Sequence, residues 1–256
     1  MPFKKAELEA DSEQRGAYGE ILFEESCHES GTKFIDATKE KSFQKIDTDY
    51  IVEIKGQNVG VEVKTDATSS KTKNLAYEVF CQSTREDAAE WFEVIKKNNG
   101  VCSLSDFMKC KGSIGCSLKT KAKYIYYVCV EEEDKYKNNH FRLTQDEGCK
   151  PFFVDVKKLN DYVDSLPRIP YKPERGKEDK CHFPLTKPNG CFISIKHHKS
   201  EDVYNLLILI SFRLLRENGI IKEGRGLNDN VLKDTFLQEY HTTEELREHF
   251  KNKAAD

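Results

Sequence analysis

The sequence of 256 residues has no long hydrophobic run and no hydrophobic stretch near its start. Its longest strongly apolar run covers residues 206–210, whereas a membrane-spanning helix needs roughly 20 such residues. A signal peptide would show a positively charged start followed by an apolar region, and none is present. We therefore expect an intracellular protein without a membrane partner.

The cysteines lack the pattern of a secreted, disulfide-linked scaffold. There are 9 of them, an odd number, and no Cys-x-x-Cys pair occurs. Disulfide frameworks favour an even count in a small secreted chain. We therefore expect reduced thiols.

The chain also has no excess of positive charge. It carries 41 Lys and Arg against 44 Asp and Glu, which gives a net charge of -3. This balance excludes a strongly basic chain that is held to nucleic acid by bulk charge alone. It is compatible with a local basic groove, and also with a group of carboxylates that holds a metal ion.

Hydrophobic periodicity predicts alternating helices and strands in the first two thirds of the chain. A helix is expected from a cap at Asp11 or Ser12 to about Glu29, and Gly31 ends it. Thr84 and Asp87 predict a capped helix. Strands are predicted to begin at residue 34 and to cover residues 50–55, 59–64, 74–80, 124–130 and 152–156. The pattern favours an α/β fold with a mixed sheet of about five strands.

A domain boundary is predicted near Pro167, because prolines are frequent between that residue and Gly190. We expect residues 1–166 to form the core and residues 167–256 to form a mostly helical C-terminal appendage. Ser200 is the predicted cap of an amphipathic helix whose buried side runs from Val203 to Leu214. A final helix is expected after Thr242 or Thr243 and through Phe250.

The hairpin predicted from residues 50–64 brings charged side chains together. Asp49 directly precedes its first strand, and Glu62 and Lys64 share one face of the second because alternate side chains point the same way. Antiparallel pairing returns Glu62 to the neighbourhood of Asp49. Two carboxylates so placed repel each other without a cation, and Mg²⁺ prefers such oxygen ligands. The pattern predicts a metal site beside an ammonium group.

The same residues are open to other interpretations. Asp47 is the rival carboxylate, although Asp49 lies nearer the apolar strand. Glu62 and Lys64 also suit the solvated face of an ordinary hairpin, where charged pairs contribute little to stability. Asp49 would then simply cap a turn.

This arrangement resembles the motif of the PD-(D/E)xK nuclease superfamily, which includes Holliday-junction resolvases and phage-type and restriction nucleases. Asp49 and the run Glu62-Val63-Lys64 match the motif, with Thr48 where many members carry proline. The family also places a glutamate on the helix before the hairpin. Glu20 matches that position, and Glu24 and Glu25 are its competitors. The resemblance covers roughly residues 14–130.

The resemblance implies a restriction-endonuclease-like core and a Mg²⁺-dependent nuclease, an endonuclease, that hydrolyses DNA phosphodiester bonds. Asp49, Glu62 and the backbone carbonyl of Val63 would bind Mg²⁺, or Mn²⁺ in its place, and Glu20 would support the metal or its water. Lys64 would position or activate the attacking water. Such an enzyme would be cytoplasmic or nucleoid-associated. A homodimer is expected because cutting both strands takes two sites. A metal-dependent RNase and a non-catalytic DNA-binding or assembly module are the alternatives.

Several lysines outside the motif are candidates for contacts with phosphate groups. Lysine binds phosphate as a point charge, and a solvated basic stretch is the alternative interpretation. The candidates are Lys71, Lys73, Lys119 and Lys121, followed by Lys123. Gln82 is a further polar candidate beside the site. The segment after Pro167 is expected to tune the choice of substrate rather than the chemistry.

Overall fold

The computed structural model describes residues 3–54, 56–132, 141–143, 150–174, 181, 183–187 and 189–223. Its helices are α1 Phe3–Ser30, α2 Lys41–Gln44, α3 Ser69–Thr72, α4 Arg85–Lys97, α5 Leu104–Phe107, α6 Cys116–Lys119, α7 Val156–Ser165 and α8 Phe212–Glu217. Its strands are β1 Phe34–Asp36, β2 Tyr50–Ile54, β3 Gln57–Asp66, β4 Asn74–Ser83, β5 Val101–Cys102, β6 Tyr124–Glu132, β7 Phe141–Leu143, β8 Phe152–Asp155, β9 Ile169–Pro170, β10 Cys191–His198, β11 Val203–Ser211 and β12 Ile221–Glu223.

The chain divides into two compact units, each built from separate segments. The first unit comprises Met1–Lys73, Lys121–Val156 and Gly219–Asp256. The second comprises Asn74–Thr120 and Lys157–Asn218. The predicted boundary at residue 166 coincides with none of these limits, and a functional division into residues 1–166 and 167–256 stays a prediction.

A mixed sheet organises the first unit. Its strands follow the order β1-β2-β3-β6-β8-β12, and β7 pairs with β6. β3 and β6 are parallel, and the other neighbouring pairs are antiparallel. The prediction of an α/β fold with a mixed sheet is therefore confirmed, and so is the hairpin of β2 and β3.

Helix α1 packs against one face of this sheet. Tyr18, Leu22 and Phe23 are fully buried there against strand residues such as Val52 and Val61. Burying one large apolar side chain contributes about 1.5–3 kcal/mol. The helix begins at Phe3 and not at the predicted caps Asp11 or Ser12, while Gly31, with φ +65°, follows its end as predicted.

Gly19 allows α1 to lie directly on β3. A Cβ atom at this position would overlap Oγ1 of Thr65 and lie 3.3 Å from Cγ1 of Val63. A side chain on residue 19 would therefore push the helix off the strand. The close contact at Gly19 also fixes where Glu20, the next residue, lies along β3.

The second unit contains an antiparallel sheet in the order β10-β11-β4. Helix α4 follows β4 and begins with the predicted capping box, in which Thr84 and Asp87 exchange hydrogen bonds. The helix ends at Lys97, and Asn99 and Gly100 beyond it adopt positive φ angles of 52° and 78°.

The helix predicted from Val203 to Leu214 is wrong. Residues Val203–Ser211 form β11, and only the short helix α8 follows. β11 lies between β10 and β4, so both of its edges are paired, and its sequence is apolar without a clear alternation. Such a run also satisfies the helical spacing, which explains the error.

Residues 191–211 therefore do not belong to a mostly helical appendage, because they form two strands. The final helix predicted after Thr242 or Thr243 lies outside the described residues. No helix in the described part of the chain is long and apolar enough to cross a membrane. Eight cysteines are free thiols, and Cys149 lies outside the described residues.

Candidate functional site

Asp49 lies where β3 continues past the first residue of β2. The two strands pair from Tyr50 opposite Val61 down to the turn. The backbone N–H of Asp49 donates to the carbonyl of Val61 at 2.9 Å. Oδ2 of Asp49 accepts from the N–H of Val63 at 2.7 Å. The carboxylate thus accepts the N–H of β3 that a backbone carbonyl of the partner strand would otherwise accept. This hydrogen bond fixes the position of the carboxylate.

Glu62 and Lys64 lie on the face of β3 that points away from α1. Val61 and Val63 belong to the core beneath the helix, and side chains alternate between the two faces of a strand. Glu62 lies between Val61 and Val63, the two residues of β3 whose backbone groups bond to Asp49. Oε2 of Glu62 is buried. The structure therefore brings together three of the predicted residues: Asp49, Glu62 and Lys64.

The charge of Asp49 is disfavoured where it lies. Burial is the largest cause of the raised pKa of this carboxyl, and the carboxylates of Asp47 and Asp36 raise it further. The hydrogen bond from Val63 and the ammonium group of Lys64 act in the opposite direction. Because the net direction is upward, the charged form of Asp49 is less favourable than in a free aspartate, and an added cation would stabilise it.

The carbonyl of Val63 points towards the same edge of β3 as its N–H group. In a strand, the N–H and C=O of one residue point to the same side, and the side alternates from residue to residue. The carbonyl of Val61 and the N–H of Val63 both face the β2 side. Val63 therefore presents its carbonyl oxygen at the edge of β3 where its N–H binds Asp49.

Glu20 approaches the start of β2 from the α1 side of the sheet. Burial is the largest cause of the raised pKa of Tyr50, and the charges of Glu24 and Glu20 raise it further. The Tyr50 hydroxyl donates to Oε1 of Glu24 at 2.8 Å, which gives Glu24 a structural partner. Within the described ranges, no three His, Cys, Asp or Glu side chains form a group that could hold a metal ion. The support of the metal by Glu20 stays a prediction.

Asp47 lies near Asp49, although it is further from β2 along the sequence. It adopts a left-handed backbone conformation with φ +46°, and its Oδ2 is buried. Its charge acts on Asp49. Asp36, at the end of β1, also acts on Asp49 and was not among the predicted residues. The pairing of β1 with β2, which sets Asp36 opposite Tyr50, was not predicted from the sequence.

Asp66 lies on the same face of β3 as Glu62 and Lys64, but its carboxylate accepts hydrogen bonds that hold the fold together. Its Oδ1 accepts from the N–H groups of Thr68 and Ser69 at 2.6 and 3.1 Å. Its Oδ2 accepts from the hydroxyl of Tyr127 at 2.8 Å. These bonds tie the end of β3 to α3 and β6. Asp66 therefore limits the far end of the site rather than adding a free carboxylate to it.

The candidate phosphate-binding lysines differ in how they are presented. Lys71 and Lys121 in the first unit are exposed, and so is Lys119 in the second. Lys73 has a left-handed backbone, and its Nζ donates to the carbonyl of Ser70 at 2.6 Å. Its ammonium group is therefore folded back onto its own turn. Contacts of these lysines with phosphate stay predictions.

Two further candidates have local structural roles. The Nζ of Lys123 lies 5.5 Å from the centroid of the Tyr124 ring. Gln82 belongs to the second unit, where its backbone N–H donates to Oδ1 of Asn205 at 2.9 Å.

Comparison with protein-family models, with curated proteins and with solved structures finds no match to this chain. The likeness to the nuclease motif therefore depends on its own residues.

Proposed function

We propose that this chain is a Mg²⁺-dependent nuclease that hydrolyses DNA phosphodiester bonds, with a restriction-endonuclease-like core. The observation that supports the proposal is the placement of Asp49, whose Oδ2 is fixed by the N–H of Val63 at 2.7 Å, with Glu62 as the preceding residue of β3. A lysine on the same strand face completes the set of charges expected of this chemistry.

The groups around Asp49 suit a hard divalent cation. Mg²⁺ is bound through a few carboxylate or carbonyl oxygens together with water molecules. Asp49 and Glu62 supply carboxylates, and Val63 supplies a carbonyl at the same edge. The raised pKa of Asp49, caused mainly by burial, indicates an environment in which a cation would relieve an unfavourable charge. Mn²⁺ has similar ligand preferences and would substitute.

The metal ion, when bound, would stabilise charge on a phosphoryl oxygen and lower the pKa of a bound water. Asp49 and Glu62 would hold it. Lys64 would orient the attacking water and balance the negative charge that develops at the phosphate. The electrostatic effect of Lys64 on Asp49 supports this role, because it indicates that the ammonium group and the carboxylate are close.

Cutting both strands of a duplex takes two such sites, so the proposal includes a homodimer. It also includes an intracellular location, where DNA is available. A metal-dependent RNase and a non-catalytic module would use the same hairpin, and the choice of substrates in the test separates them.

The test is a cleavage assay with matched substrates. The full chain is incubated with duplex, single-stranded and four-way-junction DNA and with RNA of the same sequence, in Mg²⁺, in Mn²⁺ and in excess chelator. We expect DNA products with either metal and none with chelator. Cleavage of RNA alone would replace the proposal with an RNase, and binding without any cleavage would replace it with a non-catalytic module.

A further inference from the structure

The second unit contains a cavity of about 420 Å³ that is lined by several aromatic rings. All of its lining residues belong to that unit. The rings that line it are Phe92, Tyr171, Phe183, His197 and Tyr204. A volume of this size is within the range of small-molecule sites, and it exceeds what a single planar heterocycle needs.

One wall is a chain of rings in edge contact. Phe92 and Tyr171 have centroids 6.2 Å apart with an angle of 86° between their planes. Tyr171 and Phe183 are also 6.2 Å apart, at 65°. Phe92 is 42% exposed. A large aromatic side chain is thus exposed to solvent beside the buried Tyr171.

The other wall is a flat platform. The rings of His197 and Tyr204 stack with centroids 4.3 Å apart and planes only 5° from parallel. The two residues are partners in the register of β10 and β11, so the sheet fixes the stack. The Nε2 atom of His197 lies 2.8 Å from Oδ1 of Asp202, which holds the imidazole ring in place.

The backbone around Gly100 builds the first wall. The carbonyl of Gly100 accepts from the N–H of Tyr171 at 2.8 Å. Gly100 has φ +78°, and a Cβ atom there would overlap the ring of Phe183. The glycine thus provides both the turn and the space for the ring. The aromatic wall is held by the fold rather than by loose surface contacts.

Charged groups of both signs lie among the rings. Glu93, Glu174 and Lys96 line the cavity, and the Nζ of Lys96 lies 3.9 Å from Oε1 of Glu93. The carboxylates disfavour a phosphate group inside, and the ammonium group of Lys96 offsets the charge of Glu93. A neutral planar ring with donors and acceptors on its edge suits both the aromatic faces and the mixed polar groups.

We infer that this cavity binds an unpaired nucleobase. Unstacked bases are recognised by stacking on aromatic side chains and by hydrogen bonds to their edges, and the cavity offers both. The inference deepens the proposed nuclease function, because it takes the nucleic acid from that proposal and assigns to the second unit the recognition of an extruded or single-stranded base.

The test measures base binding separately from cleavage. The full chain is titrated, in excess chelator, against a DNA duplex with 2-aminopurine opposite an abasic site and against the fully paired duplex. Stacking in the cavity should quench the fluorescence of the first duplex and give it the lower Kd. Phe92→Ala should weaken this binding about 5- to 150-fold, the usual range for loss of one base–aromatic stack.

Met108→Ala is the matched control, since Met108 is 48% exposed and lies in the same unit outside the cavity. His197→Ala removes the platform and should also weaken binding. Circular dichroism checks that each variant is folded. Equal affinity for the two duplexes, equal loss in Met108→Ala, or displacement of the base by tetramethylammonium would overturn the inference.

The two proposals fail differently. If Mg²⁺-dependent cleavage persists but 2-aminopurine does not bind, only the base-binding inference is overturned. If 2-aminopurine binds as expected but no substrate is cleaved in Mg²⁺, only the proposed nuclease function is overturned.

Discussion

At the scale of single residues, Asp49 combines two roles that pull in different directions. Its Oδ2 closes the edge of β3 by accepting from Val63, which requires a well-placed acceptor. Burial and two neighbouring carboxylates raise its pKa, which disfavours its charge. A protein that needed only the acceptor would be served as well by a neutral side chain at this position. A carboxylate at this position suits the proposed role of metal ligand.

Asp49→Asn separates these roles, because the amide oxygen still accepts from Val63 while the charge is lost. A carboxyl whose pKa is raised in the folded state favours folding below its ordinary pKa, and this contribution is lost as pH rises through the folded-state value. At pH 7 without metal, we therefore expect Asp49→Asn to melt at a higher temperature than the natural chain.

Metal should reverse that order. For the natural chain, Mg²⁺ at 100 times its Kd should add about 2.7 kcal/mol to the free energy of unfolding. Asp49→Asn should lose most of this gain and its cleavage activity. Thermal melts with and without Mg²⁺ measure both effects. An identical Mg²⁺-dependent shift in the two proteins would remove Asp49 from the metal site.

Lys64→Ala tests the chemical step. The metal ligands remain, so calorimetry should show Mg²⁺ binding largely retained. Loss of a positioned acid–base group slows reactions by about 10²–10⁴, and single-turnover cleavage should fall by that factor. Lys33→Ala is the control, since the Lys33 side chain is 86% exposed. An unchanged rate in Lys64→Ala would show that Lys64 is an ordinary strand residue.

At the scale of elements, the contact of α1 with β3 sets the height of Glu20 above the sheet. Gly19→Ala would place a methyl group against Oγ1 of Thr65. Overpacking of this kind costs typically about 1–3 kcal/mol. Urea unfolding should show a loss of that size, and adding Thr65→Ala should recover part of it.

The matched control is on the same helix. A Cβ atom added to Gly16 would have no neighbouring atom within 4 Å, so Gly16→Ala should stabilise α1 by up to about 1 kcal/mol through helix propensity. If Gly19→Ala unfolded at the same urea concentration as the natural chain, the helix would not rest on β3 as described.

The sequence predicts elements well where one face is buried and the other is not. The β2–β3 hairpin follows from the alternation around Val59, Val61 and Val63. β11 was mistaken for a helix because this central strand is apolar without that alternation. Of its two partners, β10 directly precedes it in the chain, but β4 is distant in sequence.

The candidate site shows the same dependence on sequence distance. Asp49, Glu62 and Lys64 are connected by one hairpin, so local pairing is enough to place them together. The influence of Asp36 on Asp49 depends on β1 pairing with β2. The aromatic cavity depends on residues from 92 to 204, and no local spacing in the sequence indicates it.

At the scale of the whole molecule, each unit draws on both early and late segments of the chain. The tail after Pro167 supplies β10 and β11 to the second unit and β12 to the first. The expectation that this tail tunes substrate choice stays a prediction. Truncation cannot test it, because the tail is also structural.

A fragment of residues 1–166 should therefore fail to fold as the full chain does. It would leave β4 without its partner β11 and β8 without β12. An unpaired, apolar strand edge favours aggregation. We expect the fragment to elute as aggregates in size-exclusion chromatography and to lack a cooperative thermal transition. A monodisperse fragment with a sharp transition would support the predicted boundary at residue 166 instead.

The central claim is that Glu62 and Asp49 form the metal site of a nuclease. The most direct measurement is single-turnover cleavage of DNA in Mg²⁺ by the natural chain, by Glu62→Gln and by the control Glu53→Gln, an exposed glutamate on the same hairpin. We predict that Glu62→Gln cleaves at least about 100-fold more slowly, while Glu53→Gln matches the natural chain and chelator abolishes all cleavage. Equal rates for the three proteins, or cleavage that persists in chelator, would contradict the claim.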